Sequence, residues 1–353
     1  MTFAARRSVA QAGINGFTTP ALMNGSTAIA YIENVTVNSS GLFVAVGFDS
    51  SGAPLYATSS NGGTWTTPAA MNGSSAYGQI NGVTVNSSGL FVAVGTDISS
   101  FPVYATSSDG STWTTPAQMN GSTVIAYMQK VTVNSSGLFV AVGYDSSGAP
   151  LYATSSNGST WTTPARMNGS SAIAYIQNVT VNSSGLFVAV GYDSSNAPLY
   201  ATSTNGSTWT TPARMNGSSS YARMTSVAVN SSGLFVAVGY GSSGAPLYAT
   251  SSNGSTWTTP AAMNGSTSSA GMRSVTVSSS GLFLAVGIAS IVVSSDVPLY
   301  AFSSNGSTWT TPAAMNGSTT SVSINSVTVN SSGLFVAVGF DSSSAPLFAY
   351  ALL

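Results

Sequence analysis

Two kinds of apolar segment alternate along this chain. Leu138-Phe139-Val140-Ala141-Val142-Gly143-Tyr144 is apolar throughout. A run of this length without a polar alternate predicts a strand covered on both faces. Before it stands the β-branched Val131-Thr132-Val133, joined to it by Asn134-Ser135-Ser136-Gly137, whose glycine suits the positive φ of a hairpin turn. After the polar loop Asp145 to Ala149 comes Pro150-Leu151-Tyr152-Ala153-Thr154, a strand with proline at its first residue, where no ladder N–H is needed. Asn157-Gly158 is a two-residue hairpin signal. Thr160-Trp161-Thr162-Thr163-Pro164 then reads as a fourth strand, at an edge because of its proline.

This four-strand unit occurs seven times. The turn glycine falls at Gly41, Gly89, Gly137, Gly185, Gly233, Gly281 and Gly333; five of the six spacings are 48 residues and the last is 52. A unit of that size cannot bury its own core and must stack on neighbours. The two ends of the chain are complementary. It begins with a fourth strand, Asn15 to Pro20, and ends on a third strand, Pro346 to Tyr350, with no fourth after it. The expected fold is therefore all-β: a seven-bladed β-propeller of four-stranded antiparallel blades, closed by the N-terminal strand completing the last blade. Residues 13–353 form this single domain, and 1–12 form a polar N-terminal arm expected to dock on the propeller or on a neighbouring subunit.

Composition narrows the surroundings. Charged residues make up 4% of the 353 and the net charge is −1, against about 25% charged in ordinary soluble domains. No electrostatic footprint for nucleic acid is present, and no apolar run is long enough for a transmembrane helix. There is neither cysteine nor histidine, which removes disulfides, thiolate metal sites and the usual base of a serine nucleophile. The hydroxyl-rich surface points to an extracellular or virion exterior, although the first residues show no secretory signal. No cofactor is implied.

The stretch Ser155 to Trp161, Ser-Ser-Asn-Gly-Ser-Thr-Trp, resembles the Asp-box hairpin of sialidase-type propellers, Ser-x-Asp-x-Gly-x-Thr-Trp. It recurs in six repeats, with Asn for Asp everywhere except Asp109 and a turn one residue shorter. The resemblance implies a hairpin that inserts its Trp between blades: Phe17, Trp65, Trp113, Trp161, Trp209, Trp257 and Trp309 would form a structural ring. Repeat length and one Trp per blade give a looser likeness to tachylectin- and tectonin-type lectin propellers. A sialidase-like site would need an arginine cluster and a nucleophile–base pair, yet Glu33 is the only glutamate. The aspartates of the Asp-Ser-Ser-Gly type loops sit on different blades, too far apart for a two-carboxylate glycosidase, and are read as caps of their own turns. No catalytic or metal-binding residue is assigned.

The copies differ most in the window between each Met-Asn-Gly triplet and Val-Thr-Val. One position stays apolar (Ile32, Ile80, Met128, Ile176, Met224, Met272, Ile324) and is assigned to the core, as are the repeated methionines. The position before it holds Tyr31, Gln79, Tyr127, Tyr175, Arg223, Gly271 and Ser323. The position after it holds Glu33, Asn81, Gln129, Gln177, Thr225, Arg273 and Asn325. Read as blade-to-blade loops on one face, these windows form either a binding face or drifting surface. The candidate ligand-binding residues are Tyr31, Glu33, Gln79, Tyr127, Lys130, Tyr175, Arg223 and Arg273. The function expected is non-catalytic recognition or adhesion, of glycans or other protein subunits. The alternative is a structural subunit of a capsid, tail, fibre, filament or surface layer. A designed or consensus propeller is a third reading, disfavoured by the scattered substitutions and irregular sixth repeat.

Overall fold

The computed structural model describes residues 16–73, 78–122, 124–266, 270–291, 295–317 and 321–353; the arm 1–12 lies outside them. Seven four-stranded antiparallel sheets form the blades. In blade 3 the strands are Ala126–Val133, Phe139–Asp145, Pro150–Ser155 and Ala165–Arg166, from the axis outwards. The last blade takes its outer strand, Ala21–Leu22, from the start of the chain, pairing Ala21 with Phe348 and Leu22 with Leu347. The Thr18 N–H adds a bond to the Tyr350 carbonyl at 2.9 Å, so the ring is closed by hydrogen bonds between the chain's two ends. No helix among the described residues is long and apolar enough to cross a membrane.

The fully apolar strand behaves as its pattern requires. Phe139, Val140, Ala141 and Val142 have no exposed surface. Phe139 and Ala141 face one blade interface; Val140 and Val142 face the other, where they join the core of the next blade. Every core cluster but one small group is thus shared between adjacent sheets, as in face-to-face sheet packing. The seven methionines of the Met-Asn-Gly turns and the seven apolar residues at the Ile32 position are wholly buried. Each turn asparagine described by this bond, such as Asn120 with φ 49°, also donates from its amide to a threonine of the next blade, here Thr163 Oγ1 at 2.7 Å.

The Trp ring packs between blades. Trp161 Nε1 donates to the Gly158 carbonyl at 2.9 Å, and its ring lies 6.1 Å from that of Tyr104 in the preceding blade. Phe17 takes the same place against Tyr300 at 5.4 Å. In the hairpin, Asn157 Oδ1 accepts from the Ser159 and Thr160 N–H groups at 2.9 and 2.8 Å, which explains why asparagine can stand where the Asp-box has aspartate.

Two boundaries differ from the sequence reading. The outer strand lies after the proline, at Ala165–Arg166 rather than Thr160 to Pro164, and at Ala21–Leu22 rather than before Pro20. Around Trp161 the chain is only tacked on: Thr162 N–H bonds the Thr154 carbonyl, while Thr162 Oγ1 replaces a backbone acceptor for Thr154 N–H. Pro164 has no N–H to extend the ladder. The inner strand is also longer than Val-Thr-Val. It begins at Ala126 and absorbs the window read as a loop, with a register shift between Met128 and Lys130. That bulge recurs in all seven blades.

The bulge explains the glycine ending each Val-Ala-Val-Gly. A β-carbon on Gly143 would overlap the backbone carbonyl of Tyr127, which the bulge drives against it. Rotating a side chain cannot relieve such a clash. Gly143→Ala is expected to cost about 3 kcal/mol, whereas Gly137→Ala, with φ 85° and nothing within 4 Å, should cost about 1–2 kcal/mol from backbone strain alone. Urea unfolding of the two variants checks this; equal losses would remove the bulge explanation.

Candidate functional site: an aromatic cleft and a polar channel

Each inner strand enters the wheel on the face that also carries the Asp-Ser-Ser-Gly type turns. In those turns the aspartate caps its own loop: Asp49 Oδ1 accepts from Ser51 N–H at 2.8 Å, Ser51 Oγ at 2.6 Å and Ala53 N–H at 2.9 Å. Burial would lift this carboxyl, but the hydrogen bonds from Ser51, Ala53 and Gly52 outweigh it and hold Asp49 below the ordinary carboxylate range. It is ionised at neutral pH.

The register places the residue before the buried Ile or Met beside the residue after Val-Ala-Val-Gly: Tyr31 opposite Phe48, Tyr127 opposite Tyr144, Tyr175 opposite Tyr192, Arg223 opposite Tyr240. These side chains also touch across blades and make an aromatic belt. Tyr31 stacks on Phe48 and meets Phe340 edge-on, both at 5.1 Å. Tyr127, Tyr144, Tyr175 and Tyr192 follow one another at 5.1 to 5.5 Å. Arg223 continues the row, 4.8 Å above the Tyr192 ring, with Nε donating to Asn196 Oδ1 at 2.7 Å.

Blade 2 breaks the belt. The paired positions there are Gln79 and Thr96, and Gly78 stands where blades 1, 3 and 4 have Ala30, Ala126 and Ala174. The small side chains leave a cleft of about 670 Å³, walled by Tyr31 and Phe48 on one side and by Tyr127 and Tyr144 on the other. Its remaining lining includes the amides of Gln79, Asn81 and Gln129 and the carboxylates of Asp49 and Asp97. That volume lies within the range of small-molecule sites.

The bulge residues face inward. Glu33, Asn81, Gln129, Gln177, Thr225, Arg273 and Asn325, one from each blade, line an axial cavity of about 190 Å³. Several staple adjacent blades: Asn81 Nδ2 donates to the Met128 carbonyl at 2.9 Å, and Thr225 Oγ1 to that of Met272 at 2.8 Å. Asn325 links the two charges of the ring, accepting from Arg273 Nη1 at 2.5 Å and donating to Glu33 Oε2 at 3.2 Å. Burial raises the Glu33 carboxyl, with Arg273 opposing; burial likewise pulls the Arg273 guanidinium down, with Glu33 opposing.

One step further in, Asn34, Ser226, Ser274 and Ser326 each accept from a valine N–H of the following blade, at 3.2 to 3.3 Å. Gly82 and Lys130 occupy the same position and cannot accept. Lys130 instead reaches across the channel, past Gly82, to Asn34 Oδ1 at 2.8 Å. Desolvation lowers its ammonium to about 8.

The eight residues proposed from sequence therefore fall in three places. Tyr31, Gln79 and Tyr127 line the cleft. Tyr175 and Arg223 extend the belt beyond it. Glu33, Lys130 and Arg273 lie in the channel rather than on the face read from the windows, because the bulge turns the Arg273 side chain to the axis. Phe48, Asp49, Thr96, Tyr144 and the bulge amides were missed. The signal for Phe48 and Tyr144 was the variable residue after each Ala-Val-Gly, which also reads Thr96, Tyr192, Tyr240, Ile288 and Phe340.

No family model matches the chain, and no curated protein matches it in sequence. Solved structures match it in fold. The BP39L lectin from Burkholderia pseudomallei aligns with a TM-score of 0.70 at 14% identity, over 92% of this chain and 96% of that one. YCF48 bound to a D1 peptide gives 0.66 at 15%, over 96% of each chain. The NanB sialidase from Streptococcus pneumoniae gives 0.54 at 14%, over 96% of this chain and 70% of that one. The sialidase-type and lectin-type propeller likeness is thus one of architecture, shared by proteins of different chemistry.

The channel lysine makes a pH-dependent prediction. Its folded value lies below its unfolded value, so its destabilising charge is present in full below about pH 8 and disappears as the pH rises toward the free-lysine value. Lys130→Met should raise stability by about 2 kcal/mol near pH 7, and the gain should shrink at about pH 10. Paired thermal melts at the two pH values test it; a gain independent of pH would point to packing instead.

Proposed function

We propose that this propeller is a non-catalytic recognition module of an extracellular or virion surface, and that it binds carbohydrate in the blade-2 cleft. The observation that carries the reading is the interrupted belt. Two aromatic walls stand a blade apart, with amide donors and acceptors between them. Such walls suit the apolar faces of a pyranose ring, and the amides suit its hydroxyls. The lectin among the fold neighbours supports the class of ligand without specifying it. Assembly of several chains would multiply this cleft and supply avidity.

The cleanest test restores what blade 2 lacks. The pair Gln79→Tyr and Thr96→Tyr recreates the residues at the same positions of blade 4, Tyr175 and Tyr192, and so should keep the melting temperature while filling the cleft. Glycan-array binding by the wild-type protein is expected to vanish in this variant, and Tyr31→Ala with Tyr127→Ala should weaken it at least about tenfold, equivalent to ~1.4 kcal/mol. Full binding by a folded, cleft-filled protein would overturn the site.

A further inference from the structure

The charge in the cleft is one-sided. In blades 3 and 4 the turn aspartate is neutralised within its own blade: Arg166 Nη2 lies 2.7 Å from Asp145 Oδ2, and Arg214 Nη2 lies 2.6 Å from Asp193 Oδ2. In blade 2 an amide takes that place, Gln118 Nε2 donating to Asp97 Oδ2 at 3.1 Å; it occupies the oxygen but brings no positive charge, so Asp97 adds to the negative charge of the cleft. In blade 1 the equivalent residue is Ala70, opposite Leu55 as Arg166 is opposite Leu151. Asp49 keeps its turn bonds on Oδ1, and among the described residues Oδ2 meets no donor. It lines the cleft together with four aromatic rings.

Among the described residues no cation offsets it there. Of the chain's seven lysines and arginines, Arg166 and Arg214 are paired on blades 3 and 4. Arg223 sits on the belt at blade 5, and Lys130 and Arg273 line the channel. Arg6 and Arg7 lie outside the described residues. A cleft with aromatic faces and an uncompensated carboxylate attracts positive charge by two routes, Coulombic and cation–π, and it repels anionic sugars.

Building on the carbohydrate reading, we infer that the cleft selects sugars bearing a free, protonated amine, with Asp49 as the residue that sets this preference. The ring of a hexosamine would lie between the Tyr31 and Tyr127 walls, and its ammonium would take the open oxygen of Asp49. N-acetylation removes that charge, and a sialic acid reverses it. Blades 3 and 4 cancel the same aspartate with arginine, and Gln118 already occupies Asp97 Oδ2 in blade 2, so Asp49 is the carboxylate of the cleft with an oxygen left for the ammonium, while Asp97 adds to the field.

The experiment compares a glucosamine tetramer with its fully N-acetylated counterpart and with sialyllactose, by calorimetry on the full chain at low salt and about pH 6, where the amine is charged. The free amine is expected to bind at least about tenfold tighter than the acetylated sugar, with no sialyllactose binding. The preference should fall at least about threefold in Asp49→Asn, which keeps the turn-capping oxygen and leaves Asp97 in place, and should weaken in high salt. Equal or tighter binding of the acetylated sugar, or an unchanged preference in Asp49→Asn, overturns the inference. Binding of neutral glycans only, lost on filling the cleft, overturns the charge selection and leaves the carbohydrate reading standing. No binding of any sugar overturns both.

Discussion

The structure depends on one constraint: the second strand of every blade is covered on both faces. Phe139 and Ala141 point one way, Val140 and Val142 the other, and all four are wholly buried. No single sheet can satisfy such a strand, and an open row of sheets would leave one exposed at each end. Closing the ring meets the requirement for all seven at once. The hydrogen bonds joining Thr18 to Tyr350 and Ala21–Leu22 to Leu347–Phe348 hold a hydrophobic contact that is already continuous around the wheel.

The same constraint decides where the sequence can vary. Facing sheets fix the Phe, Ala and Val rows, the Trp hairpin fixes the outer rim, and the Met-Asn-Gly turn fixes the step to the next blade. The bulge ties down the glycine after Val-Ala-Val. What remains free is the entrance end of the two inner strands and the bulge side chains on the axis. The aromatic cleft and the polar channel occupy those places. The channel shows how far the freedom extends: asparagine, serine, glycine and lysine all stand at one position, although only the first two can accept the neighbouring valine N–H.

Much of the wheel was legible in the sequence. The period, the doubly apolar run, the Trp position and the complementary ends specify seven closed blades without any long-range information. The candidate site was legible only in part. Tyr31 and Tyr127 stood out because they vary between copies. Their partners Phe48 and Tyr144 lie 17 residues away across a hairpin whose bulge shifts the register, and periodicity gives no warning of a bulge. Carrying the window as a loop placed Glu33 and Arg273 at the rim, whereas one extra residue in the strand turns them to the axis. The cleft was harder still, because it is marked by what blade 2 lacks. Gln79 and Thr96 are unremarkable as residues and acquire meaning only beside intact aromatic pairs on both sides.

The interrupted belt has an engineering consequence. All seven blades present the same two positions on the same backbone, and the core beneath them is nearly identical from blade to blade. The gap is therefore portable. Exchanging a Tyr–Tyr pair for Gln–Thr on another blade would open a second recess with its own flanking rings, while filling blade 2 would close the first. The wheel is a dial of seven addresses whose occupancy is written in pairs of residues that the fold does not need. Its specificity can be rewritten by small side chains as readily as by large ones.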